Sequence, residues 1–381
     1  MALLEYLPAL PWLLPWFGFA RLARREPDLE RGPAAPSVTP LVSVIIPARN
    51  EADTIETVVG SVLATTYPAL EVIVVDDRST DATAAIAARL AGTDPRVRVV
   101  AGEELPPGWF GKPWACVQGW RAARGDVLVF TDADTRHAPA LLSRTVAALE
   151  ATGAGLVTVS PHQLCVSFWE RVVMPQIWLL LGLRYHPRIV TRARHARDVI
   201  ANGQFIMVPR AAYEAVGTHE VVRAEVAEDL AMAQAFHAAG HRVHFTFGDR
   251  LMETRMYRGL AQLVEGWSKN VYLGGRRSFP GEPVLQALVP SMLGGVMLFW
   301  LAPPAYLLAA AGGIAAAWLP AALVATGLSA LFWMLMSAGM RIPVRYGLAY
   351  PVGALVFLFI VARSTWRGAR RVEWRGRTYS G

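Results

Sequence analysis

Two aspartates stand one residue apart at the end of an apolar run, where Val127-Leu-Val-Phe-Thr131 leads directly into Asp132-Ala-Asp134. Carboxylates at positions i and i+2 at the end of a buried strand can share one hard cation. Magnesium and manganese favour such oxygen ligands and commonly take substrate phosphates as further ligands. We therefore predict a site for Mg²⁺ or Mn²⁺ at Asp132 and Asp134, with a solvated turn as the alternative.

A second acidic pair, Asp76-Asp77, ends another apolar run. Adjacent carboxylates at the end of a strand can accept hydrogen bonds from a nucleobase or a ribose. The alternative is that they favour the positive end of the next helix, which Ser79 or Thr80 would cap. The sequence leaves both interpretations open.

A third pair, Glu228-Asp229, comes just before the predicted helix Leu230–Ala239. A carboxylate at this position can act as general base on an acceptor hydroxyl. Acidic residues in the first turn of a helix also commonly just complement the helix dipole. Catalysis and helix stabilisation are therefore both open for this pair.

The first half of the chain alternates short β-branched runs with helical patterns. Predicted strands are Val42–Pro47, Glu71–Asp77, Val97–Ala101 and Val127–Thr131, and predicted helices are Ala52–Thr65 (capped by Asn50), Thr80–Leu90 and Pro113–Ala123. This order predicts an α/β fold with a mostly parallel sheet and helices on both faces. Ligands bind such sheets beyond the carboxyl ends of the strands, which is where the first two acidic pairs fall.

The second half contains a predicted membrane domain, residues 284–362, in which Arg341 and Arg345 are the only charged residues. Its three apolar stretches are Val284–Ala311, Gly313–Met336 and Tyr346–Ala362. The first two reach the roughly 20 residues that cross a bilayer, and the third is near the lower limit. Three full crossings from a cytoplasmic domain would put the basic tail, residues 363–381, outside, against the positive-inside tendency. Either one stretch is re-entrant or interfacial, or the tail departs from this tendency.

Residues 1–25 are a predicted N-terminal membrane anchor. The segment is apolar but interrupted by prolines, and it lacks the basic start and cleavage site of a signal peptide. The arginines from Arg21 to Arg25 predict that the following chain stays in the cytoplasm. Residues 26–40, rich in proline and small residues, read as a linker.

The amino-acid composition and the placement of charges indicate which molecules the protein binds. The net charge is +7, but the arginines concentrate beside the apolar segments and no nucleic-acid-binding motif is present. This pattern indicates membrane lipids as partners, and no nucleic acid. The two cysteines, Cys116 and Cys165, cannot build a disulfide framework or a zinc site, which is typical of a reduced compartment.

Taken in order, four segments carry a resemblance to a known family. They are Val44-Ile-Ile-Pro47-Ala48-Arg49-Asn50-Glu51, Val74-Val-Asp-Asp-Arg-Ser-Thr-Asp81, Thr131-Asp-Ala-Asp134 and Glu228-Asp229. The set resembles a family 2 glycosyltransferase over roughly residues 41–275. The resemblance implies the nucleotide-binding fold known as GT-A and inversion of configuration at the sugar carbon.

The same resemblance implies roles for individual residues. Pro47, Ala48 and Glu51 would line the nucleoside pocket. Asp77, with Asp76 beside it, would contact the base.

For the reaction itself, the resemblance implies that Asp132 and Asp134 face the ribose, the diphosphate and the metal. Asp229 would be the catalytic base, with Glu228 as its neighbour in the substrate site.

Two further segments resemble a particular group of family 2 glycosyltransferases. Trp109-Phe-Gly-Lys112-Pro-Trp-Ala-Cys116-Val-Gln-Gly119 and the stretch from Arg255 to Asn270 resemble bacterial carotenoid-acid glycosyltransferases and relatives associated with hopanoid genes. Lys112 can reach donor phosphates as a point charge, with a surface lysine at a helix start as the alternative.

The family's Gln-x-x-Arg-Trp signature is not matched. Its nearest counterpart is Gln262-Leu-Val-Glu-Gly-Trp267, which makes processive polymer synthesis doubtful and leaves Trp267 as a predicted wall of the acceptor site. The surrounding segment Gly259–Leu273 has an amphipathic helical face that suits either the membrane interface or the protein core.

Together these features predict a cytoplasm-facing, multi-pass enzyme of the cell membrane. It would move a sugar from a UDP-sugar donor to a hydrophobic acceptor such as a carotenoid, a hopanoid or another lipid. The presence of a candidate base at Glu228-Asp229 mildly favours an acceptor hydroxyl, because a carboxylic acid is already ionised at neutral pH and needs no base. The alternatives are transfer to a polyprenyl phosphate or a glycan, and a non-catalytic nucleotide-binding membrane module.

Overall fold

The computed structural model describes residues 4–22, 26–314, 316–368, 372–374 and 377–379. The chain divides into two compact units. One, the helical unit, comprises Met1–Arg25, Cys165–His186 and Tyr257–Arg370. The other, the sheet unit, comprises Glu26–Leu164, Pro187–Met256 and Arg371–Gly381.

Helices and strands alternate along most of the chain. The α-helices are α1 Leu14–Leu22, α2 Ile55–Leu63, α3 Thr83–Thr93, α4 Gly111–Ala122, α5 Leu141–Thr152, α6 Phe168–Arg184, α7 Pro187–Val190, α8 Arg210–Val216, α9 Glu228–Ala238, α10 Leu260–Arg277, α11 Pro283–Ala311, α12 Leu319–Gly339 and α13 Tyr350–Arg367. The strands are β1 Val42–Ala48, β2 Leu70–Asp76, β3 Val97–Ala101, β4 Val127–Thr131, β5 Thr135–His137, β6 Leu156–Ser160, β7 His162–Gln163, β8 Phe205–Pro209, β9 Val243–Phe247, β10 Met252–Thr254, β11 Val372–Trp374 and β12 Arg377–Tyr379. The four predicted strands correspond to β1–β4, with β3 and β4 matching residue for residue.

The central sheet has the order β3-β2-β1-β4-β8-β6-β9. Four of its strand pairs are parallel, which confirms the predicted mostly parallel sheet. Strand β8 runs antiparallel to both of its neighbours, and its first residue, Phe205, pairs with Thr131 at the end of β4. The residues just before β8 therefore lie at the carboxyl edge of the parallel strands. The alternating strand and helix pattern of the sequence does not reveal this reversal.

Side chains of β1 alternate between two packed faces of the sheet. Val44 and Ile46 join Ile55 and Val58 of α2 in the main hydrophobic core. Ile45 points to the other face, where Gly119 of α4 lies against its side chain. Burying an aliphatic side chain in this way stabilises the fold by about 1.5–3 kcal/mol.

A second sheet of three strands, in the order β5-β10-β7, flanks the loop that carries Asp132 and Asp134. Strand β5 follows that loop directly and pairs with β10 in antiparallel fashion. The hydroxyl of Thr254 on β10 donates to the carbonyl oxygen of Asp134 at 3.2 Å. The backbone of the acidic loop is thereby held in one position.

The predicted cap at Asn50 is wrong. Helix α2 begins at Ile55 after Thr54, while Asn50 has a left-handed backbone with φ 54°. Its Oδ1 accepts a hydrogen bond from the backbone N–H of Thr80 at 2.8 Å. Asparagine tolerates this backbone region because its short polar side chain bonds locally. Asn50 therefore joins the loops that follow β1 and β2.

The alternative in which Ser79 or Thr80 caps the next helix is not found. Helix α3 begins at Thr83, whose backbone N–H donates to Oδ1 of Asp81 at 3.0 Å. The hydroxyl of Ser79 instead accepts from the backbone N–H of Asn50 at 3.0 Å.

Among the described residues, the helical unit has three helices long and apolar enough to cross a membrane: Pro283–Ala311, Ala316–Gly339 and Val344–Arg367. Helices α11 and α12 form a hairpin, in which the ring of Trp300 lies 4.9 Å from Phe332 and 5.1 Å from Trp333. The chain then folds back, so that Gly347 lies against the backbone of Trp333 and Met334.

Helix α13 runs antiparallel to α11. Tyr350 at its start stacks on Trp333, with ring centroids 6.2 Å apart. Further along, Leu358 lies beside Gly294. Near its end, Ser364 accepts a hydrogen bond from the backbone N–H of Tyr272 on α10 at 2.9 Å. The end of α13 therefore lies beside α10, which leads into α11.

Helix α6 packs across the start of α13, although it is far from it in sequence. Gln176, which is fully buried, donates from Nε2 to the carbonyl oxygen of Tyr350 at 3.3 Å. A Cβ at Gly353 would collide with the backbone carbonyl of Val172. Only glycine permits this close approach of the two helices.

The N-terminal segment lies along the α11–α12 hairpin. Ala9 packs on Ala321 and Ala325 near the turn of the hairpin. Further along, the indole N–H of Trp12 donates to the carbonyl oxygen of Phe299 at 3.2 Å. The ring of Phe19 in α1 then lies 5.5 Å from Phe332.

The close packing of α4 on the sheet makes a testable prediction. Replacing Gly119 with alanine is expected to destabilise the protein by about 1–3 kcal/mol, because the added methyl group overlaps the Ile45 side chain. The measurement is the thermal unfolding midpoint of the detergent-solubilised protein.

The matched control is Gly60→Ala in α2, where an added Cβ meets nothing within 4 Å. This change should leave the midpoint unchanged or raise it, since alanine is better than glycine in a helix by about 1 kcal/mol. Equal midpoints for both variants would contradict the packing described for α4.

Candidate active site

The carboxyl ends of β1 and β2 meet as the sequence predicts. Ala48 is paired with Asp76 in the strand register, and the backbone N–H of Asp77 donates to the carbonyl oxygen of Ala48 at 2.8 Å. Ala48 and Asp77 are buried, whereas Pro47 and Asp76 are half-buried. Four of the residues predicted to bind the nucleoside thus form one continuous edge.

The loops beyond this edge are fixed by side-chain hydrogen bonds to backbone. Nη1 of Arg49 donates to the carbonyl oxygens of Asp77 at 2.6 Å and Arg78 at 2.9 Å. The backbone N–H of Glu51 donates to Oγ1 of Thr83 at 2.8 Å, which holds Glu51 beside the start of α3. The predicted nucleoside pocket therefore has a preformed rim.

Asp76 supplies an acceptor that the protein leaves unused. Its Oδ1 is buried and takes no hydrogen bond from any residue in the part of the chain that the structure describes. Buried polar atoms are almost always hydrogen-bonded, so a donor from a bound ligand would complete this one.

Gly102 was missed in the sequence analysis. Its N–H donates to the carbonyl oxygen of Asp76 at 2.8 Å, and a Cβ there would come within 2.6 Å of the same oxygen. A side chain at this position would collide with the strand end.

Lys112 joins two of the predicted acidic residues. Its Nζ lies 2.7 Å from Oδ1 of Asp132 and 2.9 Å from Oε1 of Glu228. The three residues come from the first turn of α4, the loop after β4 and the first turn of α9. The ammonium group therefore ties three elements together at the carboxyl edge of the sheet.

The charge state of Lys112 follows from these contacts. Burial on its own would lower the pKa of the ammonium, but the charges and hydrogen bonds of Asp132 and Glu228 outweigh burial and hold it well above the ordinary value. Lys112 is positive at neutral pH. Its predicted role at the donor phosphates stays a prediction.

Asp229 is held by two backbone donors. Its Oδ2 accepts from the N–H of Gly203 at 3.0 Å, and its Oδ1 accepts from the N–H of Leu230 at 2.7 Å. Burial and the neighbouring charge of Glu228 raise the pKa of Asp229 to about 6, against the lowering effects of Lys112 and the two N–H groups. A carboxylate with a pKa near the working pH suits a general base.

Gly203 was also missed. It precedes β8, and its carbonyl oxygen accepts from Nζ of Lys112 at 3.4 Å. A Cβ at Gly203 would lie 3.0 Å from Nζ of Lys112 and 3.2 Å from Oδ2 of Asp229. No local sequence signal identifies this glycine, because its position follows from the reversed strand.

A buried amide cluster fixes the backbone on both sides of Gly203. Oε1 of Gln204 accepts from Nδ2 of Asn202 at 3.2 Å and from Nε2 of Gln163 at 3.1 Å. The carbonyl oxygen of Gln204 accepts from the hydroxyl of Thr131 at 2.8 Å. The segment that contacts Asp229 is thus tied to the end of β4.

The predicted metal ligands flank Ala133, which is buried. The hydroxyl of Thr135 donates to the carbonyl oxygen of Asp132 at 2.8 Å, so the loop geometry is fixed on this side as well. No group of three or more His, Cys, Asp or Glu side chains suited to a metal occurs among the residues described. Two carboxylates fit Mg²⁺ or Mn²⁺, since such ions commonly complete their shell with water and substrate phosphate.

Trp267 belongs to the helical unit, on α10. Its side chain is buried, and its ring lies 6.3 Å from that of Tyr257. Its predicted role in the acceptor site stays a prediction. Cys116 and Cys165 are free thiols, and burial raises the pKa of Cys116, so a thiolate nucleophile is not expected there.

Comparisons with known proteins agree with this fold. The mannosyltransferase of Pyrobaculum calidifontis, solved with GDP-Man and Mn²⁺, superposes with a TM-score of 0.56 at 21% identity, covering 96% of this chain and 98% of that one. The α/β domain is therefore a GT-A domain, the fold of nucleotide-diphospho-sugar transferases.

Residues 43–217 match the model of glycosyl transferase family 2. Over this region the chain is similar to that family, and together with the curated relatives the match supports a glycosyltransferase. The chain is 26% identical over 267 residues to the 4,4'-diaponeurosporenoate glycosyltransferase of Staphylococcus haemolyticus, covering 68% of each chain. The enzyme of the same name from Staphylococcus aureus is 28% identical, over 67% of this chain and 66% of its own. The matched region spans about two thirds of these curated relatives.

The environment of Asp229 predicts how activity depends on pH. A base must be ionised, so the rate is expected to rise with pH up to about 6, the pKa of Asp229, and to level off above it. Glu228→Gln removes a negative charge that raises this pKa, so the acidic limb should move to lower pH. Lys112→Met removes a positive charge that lowers it, so the limb should move to higher pH.

The measurement is the initial rate of nucleoside diphosphate release from about pH 4.5 to about pH 8. Glu56→Gln is the control, because Glu56 is an exposed carboxylate on α2 whose partner is Arg89. An acidic limb that stays in place in both site variants would show that Asp229 is not the titrating base.

Proposed function

We propose that this chain is a membrane-bound, inverting glycosyltransferase that moves a sugar from a UDP-sugar to a hydrophobic acceptor. The observation that carries this proposal is the convergence of Lys112, Asp132, Glu228 and Asp229 at the carboxyl edge of the sheet. One positive charge and three acidic groups at this edge suit a reaction that needs both a bound diphosphate and a base.

Asp229 acts as the base in this mechanism. It takes the proton of an acceptor hydroxyl as that oxygen bonds to the anomeric carbon, and the bond from that carbon to the diphosphate oxygen breaks in the same step. Attack from the side opposite the leaving group inverts the configuration. The N–H groups of Gly203 and Leu230 fix both carboxylate oxygens, so Asp229 is oriented before the acceptor arrives.

Asp132 and Asp134 are the residues that would hold the divalent cation, Mg²⁺ or Mn²⁺. When bound, the cation neutralises charge on the diphosphate and so improves it as a leaving group. Lys112 lies within ion-pair distance of Asp132 and brings a second positive charge to the same place. Its flexible stem allows the ammonium to contact donor phosphate when one is present.

The nucleoside occupies the rim formed by Pro47, Ala48, Glu51, Asp76 and Asp77. A uracil presents one imide N–H, and the unused Oδ1 of Asp76 is an acceptor that can receive it. This complementarity supports UDP as the carrier.

A hydrophobic acceptor is supported by two observations. The relatives from Staphylococcus are named for a carotenoid acid, 4,4'-diaponeurosporenoate. This chain also has three helices of membrane-spanning length. An acceptor hydroxyl on such an apolar molecule would make use of Asp229, whereas a carboxylic acid is already ionised at neutral pH.

We further propose that both ends of the hydrophobic domain lie on the cytoplasmic side. The end of α13 contacts α10 through Ser364 and Tyr272, so the chain enters and leaves this domain at one end, which we call the α10 end. Helix α13 begins beside Trp333 and does not extend to the turn between α11 and α12. The hydrophobic domain then crosses an even number of times, and the basic tail fits the positive-inside tendency.

Charge supports the same orientation. The α10 end carries Arg276 and Arg277 at the end of α10, and Arg363 and Arg367 near the end of α13. The turn between α11 and α12, residues 312–318, carries no charge. The sheet unit joins α10 at Tyr257, so it is cytoplasmic in this arrangement.

Release of UDP tests the enzymatic proposal. Purified protein in detergent is given a panel of UDP-sugars, Mn²⁺ or Mg²⁺, and extracted membrane lipid. Release should require metal, one sugar and the lipid. It should fall by at least about a hundredfold in Asp229→Asn and Asp134→Ala, which remove the base and a metal ligand.

The control for these variants is Asp94→Asn, which alters a half-buried carboxylate at the end of α3 that is paired with Arg96. Tight UDP binding with no release from any donor would point to a non-catalytic nucleotide-binding module. Release that depends on a polyprenyl phosphate or a glycan, and not on apolar lipid, would change the acceptor class.

Reporter fusions test the orientation. Alkaline phosphatase, which is active only outside the cytoplasm, should be inactive when fused after Gly381 and active when inserted at Gly313 in the turn. Activity at both positions, or after Gly381 alone, would contradict the proposed topology.

A further inference from the structure

Two arginines of the helical unit contact one tyrosine ring. The guanidinium carbon of Arg171 on α6 lies 4.9 Å from the ring centroid of Tyr346, and that of Arg345 lies 5.5 Å from it. Nη1 of Arg171 also donates to the hydroxyl of Tyr346 at 2.9 Å. The ring therefore holds both cationic groups in one place.

Neither guanidinium has an acidic partner among the described residues. Within the described ranges, Arg171 donates to Tyr346 and to the carbonyl oxygen of Cys165, the latter at 3.0 Å. Elsewhere in the same unit, arginines are neutralised: Glu265 accepts from Arg363 at 2.8 Å and from Arg367 at 2.6 Å. The pair at Tyr346 thus carries two positive charges that the described part of the protein does not balance.

The surroundings of this pair are apolar and accessible. Val344, Leu348 and Phe168 are 48%, 58% and 45% exposed. Arg341 and Arg345 are the only charges from Val284 to Ala362. A charged side chain at the centre of a bilayer costs roughly 2.5–3.5 kcal/mol or more, so these arginines belong at the depth of the polar headgroups. Apolar side chains beside arginine and tyrosine are typical of that layer.

We propose that Arg171 and Arg345 bind the phosphate of an anionic phospholipid headgroup, with the lipid chains lying against Val344, Leu348 and Phe168. A guanidinium fork matches phosphate oxygens and forms charge-assisted hydrogen bonds with them. Tyr346 orients both forks before the lipid arrives, which lowers the entropy lost on binding. This inference rests on the membrane placement proposed above, and it does not depend on the sugar donor or the acceptor.

Native mass spectrometry of lipid retained by the purified protein tests the inference. The protein is equilibrated with equal amounts of phosphatidylglycerol and phosphatidylcholine, and the ratio of bound lipids is compared between variants. The unaltered protein should retain more phosphatidylglycerol. Arg345→Gln and Arg171→Gln should each reduce that preference by about fivefold, the contribution expected of one arginine near a membrane surface.

Arg341→Gln is the matched control, because Arg341 is exposed and close in sequence but is not in contact with the Tyr346 ring. It should keep the preference of the unaltered protein. Equal retention of both lipids by the unaltered protein, or an equal loss in all three variants, would overturn the inference.

Folding and activity are separated from lipid binding in this design. Arg345 is exposed, so Arg345→Gln decides the question even where Arg171→Gln lowers the unfolding midpoint. UDP release is measured on the same samples. If the arginine variants lose the lipid preference but still release UDP, the lipid site is supported independently of catalysis. If the unaltered protein shows the preference but releases no UDP with any donor, the lipid site is supported and the proposed transferase activity is not.

Discussion

The contact of Lys112 with Asp132 and Glu228 balances charge at the edge of the sheet, and the arrangement of the site depends on it. Without the ammonium group, these two carboxylates and Asp229 would lose a positive charge that offsets their mutual repulsion, which would favour the protonated form of these acids. The same contact joins α4, the loop after β4 and α9. One half-buried side chain thus sets the local structure and the charge available for catalysis.

The reversed strand β8 supplies the other half of the site. Because it runs antiparallel to β4, the segment before it meets the carboxyl ends of the parallel strands, and the backbone of Gly203 reaches Asp229. The amide cluster of Gln204, Asn202 and Gln163 holds that segment in place. Backbone N–H groups fixed in this way cost little reorganisation when the base acts.

Much of the fold follows from the sequence, because β-branched runs and helical patterns predict β1–β4 and bring the acidic pairs to one edge. Contacts between residues that are distant in sequence cannot be predicted in the same way. A lysine at a helix start, such as Lys112, has the composition of a surface residue, and Phe205–Pro209 looks the same whether it runs parallel or antiparallel. Apolar length likewise predicts the membrane helices but not the fold-back after Gly339, which depends on contacts between helices and not on composition.

Helix α6 has a consequence for the order in which the chain can be assembled. It is made long before its partner α13, and until Tyr350 has been synthesised the amide of Gln176 lacks the acceptor that it bonds in the folded protein. Helix α6 is largely apolar, and Gln176 is a polar group on it. The nascent chain must therefore be protected from aggregation at this helix while the remaining helices are made. A fragment that ends before α11 lacks α13 and leaves the same face of α6 exposed, so such a fragment needs polar substitutions on that face of α6.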